Sequence, residues 1–569
     1  MKLTKSFVFV NILAFSFQLS ANPGRAQEAP PTGLSDQALP PSIPTPEYPV
    51  PKPYVDRVRE EGASLDLSLK EAVRLALLKN LDIEIEDYNE EINRQRLVQN
   101  QGFYDPVLSF TIGRSVQDRP TGSVLTAGQG NNVFSSTNFT WNQFFSQNLP
   151  GGGSLRWTVN NSRNGTNNLF STVNPSFSSG MELDFTQPLW RNLVKTSTWH
   201  QIKLVNLDMK ISDSQFEQRV ADVVQEVQNQ YWELVFAINN YEARRQSMEL
   251  AITQYKDNQA RVRIGVLAPI EITSAQSEVA SRQQEMIQAE VQIVTAQNAL
   301  KSLLAHDTRD SIWNLSFLPT DLPRPPAVSQ SLEEAIGTAL SHRPELEQID
   351  FQVEQTEIDH EYWVGQGKPQ VNLRVNWGTQ GLSGLTALQD RVDTDGDGIP
   401  DTVRNLGFRS GNFIDSLGQT FTADFTHYSV FADVQIPLFN HTNKAQVAQT
   451  NIEKSRLLSR RRSLQHLIVV DVRNAYESLT IQKKSLEAAQ VARRLAQEQL
   501  DGESKRYKAG LSTNFEVLRF QRDLVNSKTQ EVRSQVDYQK AVVALQKATF
   551  TIVNQNDIHI AKRQKTEPL

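Results

Sequence analysis

One unit of this sequence is written twice, and the repeat governs how every other segment is read. Leu69-Lys70-Glu71-Ala72-Val73 returns 263 residues later as Leu332-Glu333-Glu334-Ala335-Ile336, and Ala76-Leu77 returns as Ala339-Leu340. The same shift carries Pro106 onto Pro369. Gln187-Pro188-Leu189-Trp190 is echoed 249 residues on by Ile436-Pro437-Leu438-Phe439. Tyr231, Gly265, Glu271 and Leu300 then fall on Tyr476, Gly510, Glu516 and Leu545 at a shift of 245. Two copies therefore fill 68–305 and 330–553, with a linker at 306–329 marked by the prolines from Pro319 to Pro326 and a tail at 554–569.

Each copy predicts the order helix, strands, very long helix, turn, long helix. Leu189 to Ile264 contains neither Gly nor Pro and is rich in Gln, Glu, Ala, Val, Leu and Arg; Leu438 to Asp501 has the same character. A helix of about 70 residues would be about 105 Å long, far beyond the length that an isolated amphipathic stripe can bury, so such helices must pack side by side. Val472, Ala475, Leu479, Leu486, Ala489, Ala496 and Leu500 follow an approximate heptad seam, interrupted at Gln482 and Arg493.

The strands between the helices alternate. Leu108, Phe110 and Ile112 are separated by Ser109 and Thr111; Met181, Leu183 and Phe185 by Glu182 and Asp184. In the second copy Val371, Leu373, Val375 and Trp377 alternate with Asn372, Arg374 and Asn376, and Val430, Ala432, Val434 and Ile436 with Phe431, Asp433 and Gln435. One apolar and one polar or charged face over about ten residues suits an outer-membrane barrel wall, with the charges facing a wet lumen. A soluble sandwich produces the same alternation, but the long helices and the N-terminus favour the barrel. Trp141, Trp157, Trp190 and Trp377 fit membrane-interface positions. The first copy carries an extra hairpin, 138–145 with 155–161, across Leu149-Pro150-Gly151-Gly152-Gly153; a periplasmic turn there would make the segments near 117–133 and 163–176 external loops. In the second copy a long insertion, 379–427, takes its place, and two to four strands per copy are expected.

Residues 1–27 read as a cleaved secretory signal: Lys2 and Lys5, an apolar run from Phe7 to Phe17, then small residues. The segment 28–67 follows as a proline-rich leader without a core. There are no cysteines, which removes disulfides, thiolate catalysis and Cys-ligated zinc. A net charge of −6 without basic runs argues against nucleic acid as a partner. The eight His show no paired metal spacing, and there is neither a nucleophile elbow nor a phosphate loop, so no enzyme is expected.

Together these segments resemble the TolC-like outer-membrane efflux protein family, over nearly all of 68–553. The most specific stretch is Arg506-Tyr507-Lys508-Ala509-Gly510-Leu511-Ser512-Thr513, followed by Phe515-Glu516-Val517-Leu518 and Gln521. It looks like the family's turn between two long helices, where Gly510 can take the positive φ that ends one helix and Ser512 or Thr513 can cap the next. The first copy has Ile264-Gly265-Val266-Leu267-Ala268-Pro269, with Pro269 suited to a first helical turn, but lacks the Tyr and the Ser.

The resemblance implies an α+β membrane protein: a shared trimeric transmembrane β-barrel continued by a long periplasmic α-helical barrel of coiled-coil hairpins, with an internal two-fold repeat. It implies an outer-membrane location in a Gram-negative cell, outer-membrane lipid as surroundings, and a homotrimer serving as exit duct of a tripartite efflux or type I secretion system. A periplasmic adaptor and an inner-membrane transporter are the implied partners. Tyr507, Gly510, Leu511, Ser512 and Gly265 become candidate adaptor contacts. Glu516 matches an acidic position that narrows the periplasmic entrance in the family, while Arg519 stands where a second acid can occur. A Glu516–Arg519 surface ion pair is the alternative. A trimeric surface adhesin with a coiled-coil stalk and barrel anchor is the rival function; a periplasmic adaptor would need a lipoyl-like or small barrel domain, and none is evident.

One motif lies outside that resemblance. Asp393, Asp395, Asp397 and Asp401, with the Ile399 carbonyl, space oxygens at alternate positions around a glycine turn, as in compact calcium loops similar to those of thrombospondin type 3 and dockerin repeats. The bidentate Glu of an EF-hand is replaced by Arg404. No cofactor is required for a duct; calcium in an external loop is the candidate ligand.

Overall fold

The computed structural model describes residues 48–122, 133–168, 171–323, 330–392 and 402–558. The segment expected to be a signal, 1–27, and the whole Asp-rich loop at 393–401 fall outside these. Every element belongs to one unit, Val50–Leu569.

The first copy runs α1 (Tyr54–Glu61), β1 (Ser64–Leu67), α2 (Leu69–Lys79), α3 (Leu81–Gln101), β2 (Val107–Pro120), β3 (Val133–Asn148), β4 (Ser154–Thr166), β5 (Val173–Pro188), α4 (Ser197–Arg263) and α5 (Ile270–Leu304). After β6 (Ser316–Pro319) the second copy follows: α6 (Leu332–His342), α7 (Pro344–Gln366), β7 (Gln370–Val392), β8 (Thr402–Arg409), α8 (Phe413–Thr422), β9 (Phe425–Gln435), α9 (His441–Lys508), α10 (Asn514–Ala548) and α11 (Ile552–Gln555).

The repeated pentapeptide is a helix start. Ser68 accepts from the Glu71 amide while Glu71 reaches back to the Ser68 amide; Ser331 and Glu334 do the same. Behind each capping box two alanines four apart, Ala72 and Ala76 or Ala335 and Ala339, are fully buried. Their small side chains let α2 pack in one core with Val224, Val227 and Tyr231 near the middle of α4, and α6 with Ile468 and Val472 near the middle of α9. The duplication in sequence is thus a duplicated docking of a short helix on a long one.

The long helices have 67 and 68 residues, or about 100 Å each. α3 packs along α4 near the sheet and α5 returns along it from the turn; α7 and α10 accompany α9, and both also touch α4. Two boundaries differ from expectation. α4 starts at Ser197, capped by Thr196, so the Gly- and Pro-free run from Leu189 includes non-helical chain. α9 continues through Gly502, whose cost of about 1 kcal/mol is outweighed by packing on either side. The heptad seam is observed: Val472, Leu479, Leu486, Ala489 and Ala496 are buried, and Arg493, an interruption, pairs with Glu531 of α10 at 2.5 Å.

The leader and linker are more structured than their composition suggested. Tyr54 and Val58 of α1 are buried, and β1 pairs in parallel with β6, Leu65 opposite Phe317. The Tyr231 hydroxyl donates to the Leu67 carbonyl at 3.0 Å and reaches Asp321 at 3.0 Å, and burial pushes the phenol's pKa up. Prolines at the linker's end conceal four residues of strand. The tail likewise begins inside the fold, where Gln228 donates to Asn556 at 2.9 Å.

The other seven strands form one antiparallel sheet ordered β2, β3, β4, β5, β7, with β9 on the far edge of β7 below and β8 above it. The extra hairpin is present, and its turn lies at the helix side of the sheet, with Gly152 at φ +74° beside Asn192 and Thr196. The first copy contributes four strands and the second three. Register sorts the faces. Ile112, Trp141, Met181, Leu183, Trp377 and Val430 lie on one, and Asn142, Glu182, Asp184, Asn376, Arg374 and Asp433 on the other. The charged face is internally bonded: Asn376 donates to Glu182 at 2.5 Å and Asp184 at 2.7 Å, and Arg374 pairs with Asp433.

The insertion at 379–427 is where expectation and structure part most. β7 extends through it as a 23-residue strand, followed by β8 and α8. Gly381 and Gly384, with Leu382, Leu385 and Leu388 three apart, hide the strand alternation. Among the described residues no helix is long and apolar enough to cross a membrane.

Candidate functional site

The two long helical hairpins end in the same turn. In the second, α9 closes at Ala509, Gly510 takes φ +77°, its amide donates to the Tyr507 carbonyl at 3.0 Å, and the Leu511 amide donates to the Arg506 carbonyl at 2.9 Å. In the first, Gly265 has φ +79°, its amide donates to the Val262 carbonyl at 3.0 Å, and the Val266 amide to the Arg261 carbonyl at 2.9 Å. Both are the paired six-to-one and five-to-two closure that a glycine after a helix permits. Gly265 and Gly510 are therefore equivalent in geometry despite the different residues around them.

The next helix starts differently in each copy. Thr513 caps α10 by accepting from the Glu516 amide, whereas Ser512 donates its hydroxyl to the Glu503 carboxylate, back across the turn. In the first copy Pro269 stands at the cap position itself, one residue before α5, with no side-chain cap. Its fixed φ supplies the helical start that Thr513 secures by hydrogen bonding.

Tyr507 is engaged within the chain. Its hydroxyl accepts from Arg261 Nη1 at 3.1 Å, and that guanidinium lies 5.4 Å from the ring centroid. The contact ties the last turn of α9 to the last turn of α4, so the two turns stand side by side. Leu511 remains exposed, as do Ile264, Val266, Ile270 and Phe515, leaving an apolar cap on both turns. Glu516 pairs with Arg519 at 3.2 Å, and the Arg519 guanidinium lies over Phe520. Sequence reading missed Arg261 and Glu503. Arg261 lies three residues before the first copy's turn segment at Ile264, and Glu503 lies nine residues from the Ser512 it holds.

Of the candidate calcium residues, none is among those described. The strands on either side end at Val392 and Thr402, which pair with each other, so the loop joins a β-hairpin. Among the described residues no cluster of His, Asp and Glu suited to a metal occurs.

A family model described as outer membrane efflux protein matches residues 200–306 and 335–549, more than half of the chain: the long helices of the first repeat and nearly the whole of the second. The chain belongs to the outer membrane efflux protein family. Members of this family are channels and not enzymes, placed in the outer membrane with a large periplasmic helical part. No protein among the curated sequences matches. The fold is similar to that of the Campylobacter jejuni CmeC outer membrane channel, with 15% identity and a TM-score of 0.56 over 87% of this chain and 90% of that one. It is also similar to the outer membrane protein VceC from Vibrio cholerae, with 13% identity and a TM-score of 0.57 over 84% and 95%. The open state of the Neisseria gonorrhoeae MtrE outer membrane channel matches at 17% identity, with a TM-score of 0.54 over 84% and 88%. These likenesses span sheet and helices together, so this outer membrane efflux protein shares the whole architecture and little of the sequence.

Proposed function

We propose that this outer membrane efflux protein assembles as a homotrimer into the exit duct of a tripartite efflux or type I secretion system, with its helical tip docking a periplasmic adaptor linked to an inner-membrane transporter. The observation that carries the reading is the tip itself: two equivalent glycine-closed turns, locked together by Arg261 and Tyr507, presenting exposed Leu511, Val266 and Phe515. Exposed apolar side chains on a rigid double turn suit capture of a partner helix hairpin. Gly510 and Gly265 set the turn, Leu511 offers the contact, and Ser512 and Tyr507 fix its neighbours. The sheet supports trimerisation. Among the described residues β2 pairs only with β3 and β9 only with β7, leaving two long free edges. With β8 and β9 sharing one column beside β7, each chain supplies six columns, and joining the free edges head to tail three times would close a barrel of about eighteen, a size that leaves an aqueous channel.

A photoreactive crosslinker on a single Cys at Ser512 tests the docking in cells, in a chain that has no other Cys. Capture of a periplasmic adaptor is expected; capture of nothing but other copies of the chain would refute it. Glu516 is proposed to line the periplasmic entrance with its charge partly neutralised by Arg519; Glu516→Ala should change conductance and cation block in single-channel recordings, and unchanged values would remove it from the pore. At the far end, the Asp-rich hairpin loop is proposed to bind calcium through Asp393, Asp395, Asp397, Asp401 and the Ile399 carbonyl. Calorimetry with the folded protein decides this, absence of a calcium heat ending the proposal.

A further inference from the structure

The sixth column of the sheet is interrupted. Thr386 of β7 pairs with Arg409 of β8, Gly411 donates to the Gly384 carbonyl at 2.8 Å, and pairing resumes at Gln380 with Phe425 of β9. Between these points the ten residues of α8 are looped out of what is otherwise one returning strand. The helix lies on the apolar face of the sheet. Ser416 Oγ and Ser179 Oγ are 2.9 Å apart, Thr420 donates to the Ser179 carbonyl at 3.2 Å, and the Phe413 ring packs 4.7 Å from that of Trp141. Ser179, Trp141, Asn161 and Gly381 share one register row of that face. A side chain at Gly381 would strike the Ser416 carbonyl at 1.9 Å, so the approach is close.

The orientation of α8 is the reverse of a water-soluble helix. Ser416 and Thr420 are buried against the sheet, while Ile414 and Phe421, seven apart on one stripe, are 73% and 66% exposed. In water the stripe would turn inward and the hydroxyls outward. Small polar residues at the contact with large apolar ones outside is the packing of helices in hydrocarbon. Both ends are closed without water: Asn412 and Asp415 form a reciprocal cap, and Ala423 in the left-handed region lets the Asp424 amide reach the Gln419 carbonyl at 3.1 Å. In lipid every backbone group has to be satisfied in this internal way. One row further out on the same face stand Arg114 and Arg163, cations suited to the headgroup level.

We propose that α8 is a membrane-seated helix on the outside of the barrel wall. It covers the polar row Asn161–Ser179–Gly381 and turns Ile414, Leu417 and Phe421 to the acyl chains of the outer leaflet, just below its headgroups. The proposal rests on the sheet being the membrane-spanning wall, and it continues the apolar surface that Val430, Ile112 and Trp377 already present.

Spin labels on single-Cys variants of the full chain in liposomes test it by accessibility to oxygen and to a water-soluble nickel chelate. Ile414→Cys and Phe421→Cys should favour oxygen severalfold, as Val430→Cys on the wall does, with Ser178→Cys on the polar face showing the opposite order and Thr422→Cys on the helix's polar flank lying between. If Val430→Cys favours oxygen while Ile414→Cys and Phe421→Cys meet the chelate freely, the helix is in water and the proposal is wrong. If those two are shielded from both reagents, a protein surface covers them and it is equally wrong. If Val430→Cys also meets the chelate, the membrane reading of the sheet has failed, and the proposal with it.

Discussion

Replacing Gly510 with Ala isolates the energetics of the tip. Gly510 has φ +77°, and a Cβ built there meets no atom within 4 Å, so the substitution neither clashes nor gains contacts. What remains is the intrinsic penalty of a left-handed L-residue, roughly 1–2 kcal/mol. That penalty falls on a closure made by two amides, Gly510 to Tyr507 at 3.0 Å and Leu511 to Arg506 at 2.9 Å. If the turn opens locally, hydrogen exchange of a peptide covering 506–513 should speed up about five- to thirtyfold in Gly510→Ala. Gly510→Asn should accelerate it much less, because Asn tolerates the left-handed region. Gly265 has the same φ within two degrees and the same empty surroundings, so Gly265→Ala should produce an equal acceleration at the first turn and none at the second. Equal exchange in Gly510→Ala and the parent, or equal acceleration by Ala and Asn, would refute the claim that positive φ sets the turn.

Leu486→Ala in the α9 seam, 4% exposed, should lower stability by about 2–5 kcal/mol, read as an earlier loss of helical circular dichroism on heating. Ser331→Ala removes a capping box and should cost about 1 kcal/mol, with Ser331→Asp restoring most of it in the same melt. Glu233 of α4 meets Arg533 of α10 at 3.0 Å and also Lys540; burial alone would raise its carboxyl, but the Lys540 hydrogen bond and the Arg533 charge hold it below 4.5. Because the folded value is depressed, its stabilising contribution is full above the unfolded value of 4.5 and disappears as pH falls through the lower folded one. Glu233→Gln should therefore flatten the acid limb of a melting-temperature profile, and an unaltered limb would count against the pair. Arg261→Ala should free Tyr507 and raise exchange at both turns, whereas Tyr507→Phe, which keeps the ring under the guanidinium, should raise it less.

The repeat, the long helices and the two glycine turns were legible because each rests on local signals: a capping box, a Gly- and Pro-free run, a glycine at a helix end. The barrel faces were legible where alternation was clean, as in Leu108 to Ile112. It failed across Thr379 to Val392, where Gly381 makes room for α8 and Gly384 for the backbone of β5 at Pro175, and a helix inserted into a strand has no periodicity to announce it. β1, β6 and the Arg261–Tyr507 contact were unreadable for a different reason: each depends on a partner some 250 positions away, and four-residue strands carry too little pattern. At the tip, Thr513 and not Ser512 proved to be the cap, since the choice depends on Glu503 from the preceding turn.

The β1–β6 ladder sets an order of events for a chain delivered from its N-terminus. Ser64 must find Ser316, so the opening strand waits, unpaired, until the whole first copy has emerged and the junction between the copies follows it. Loop closure over such a span costs only slightly more than over a short one, but the delay leaves a free edge in the periplasm while β2 to β5, which pair with one another but not yet with the second copy, accumulate behind it. Even then the first copy is not finished, because Val536, Val543, Ile552 and Val553 of the second copy complete its core. The duplication that looks modular on paper is, during biogenesis, a single indivisible transaction.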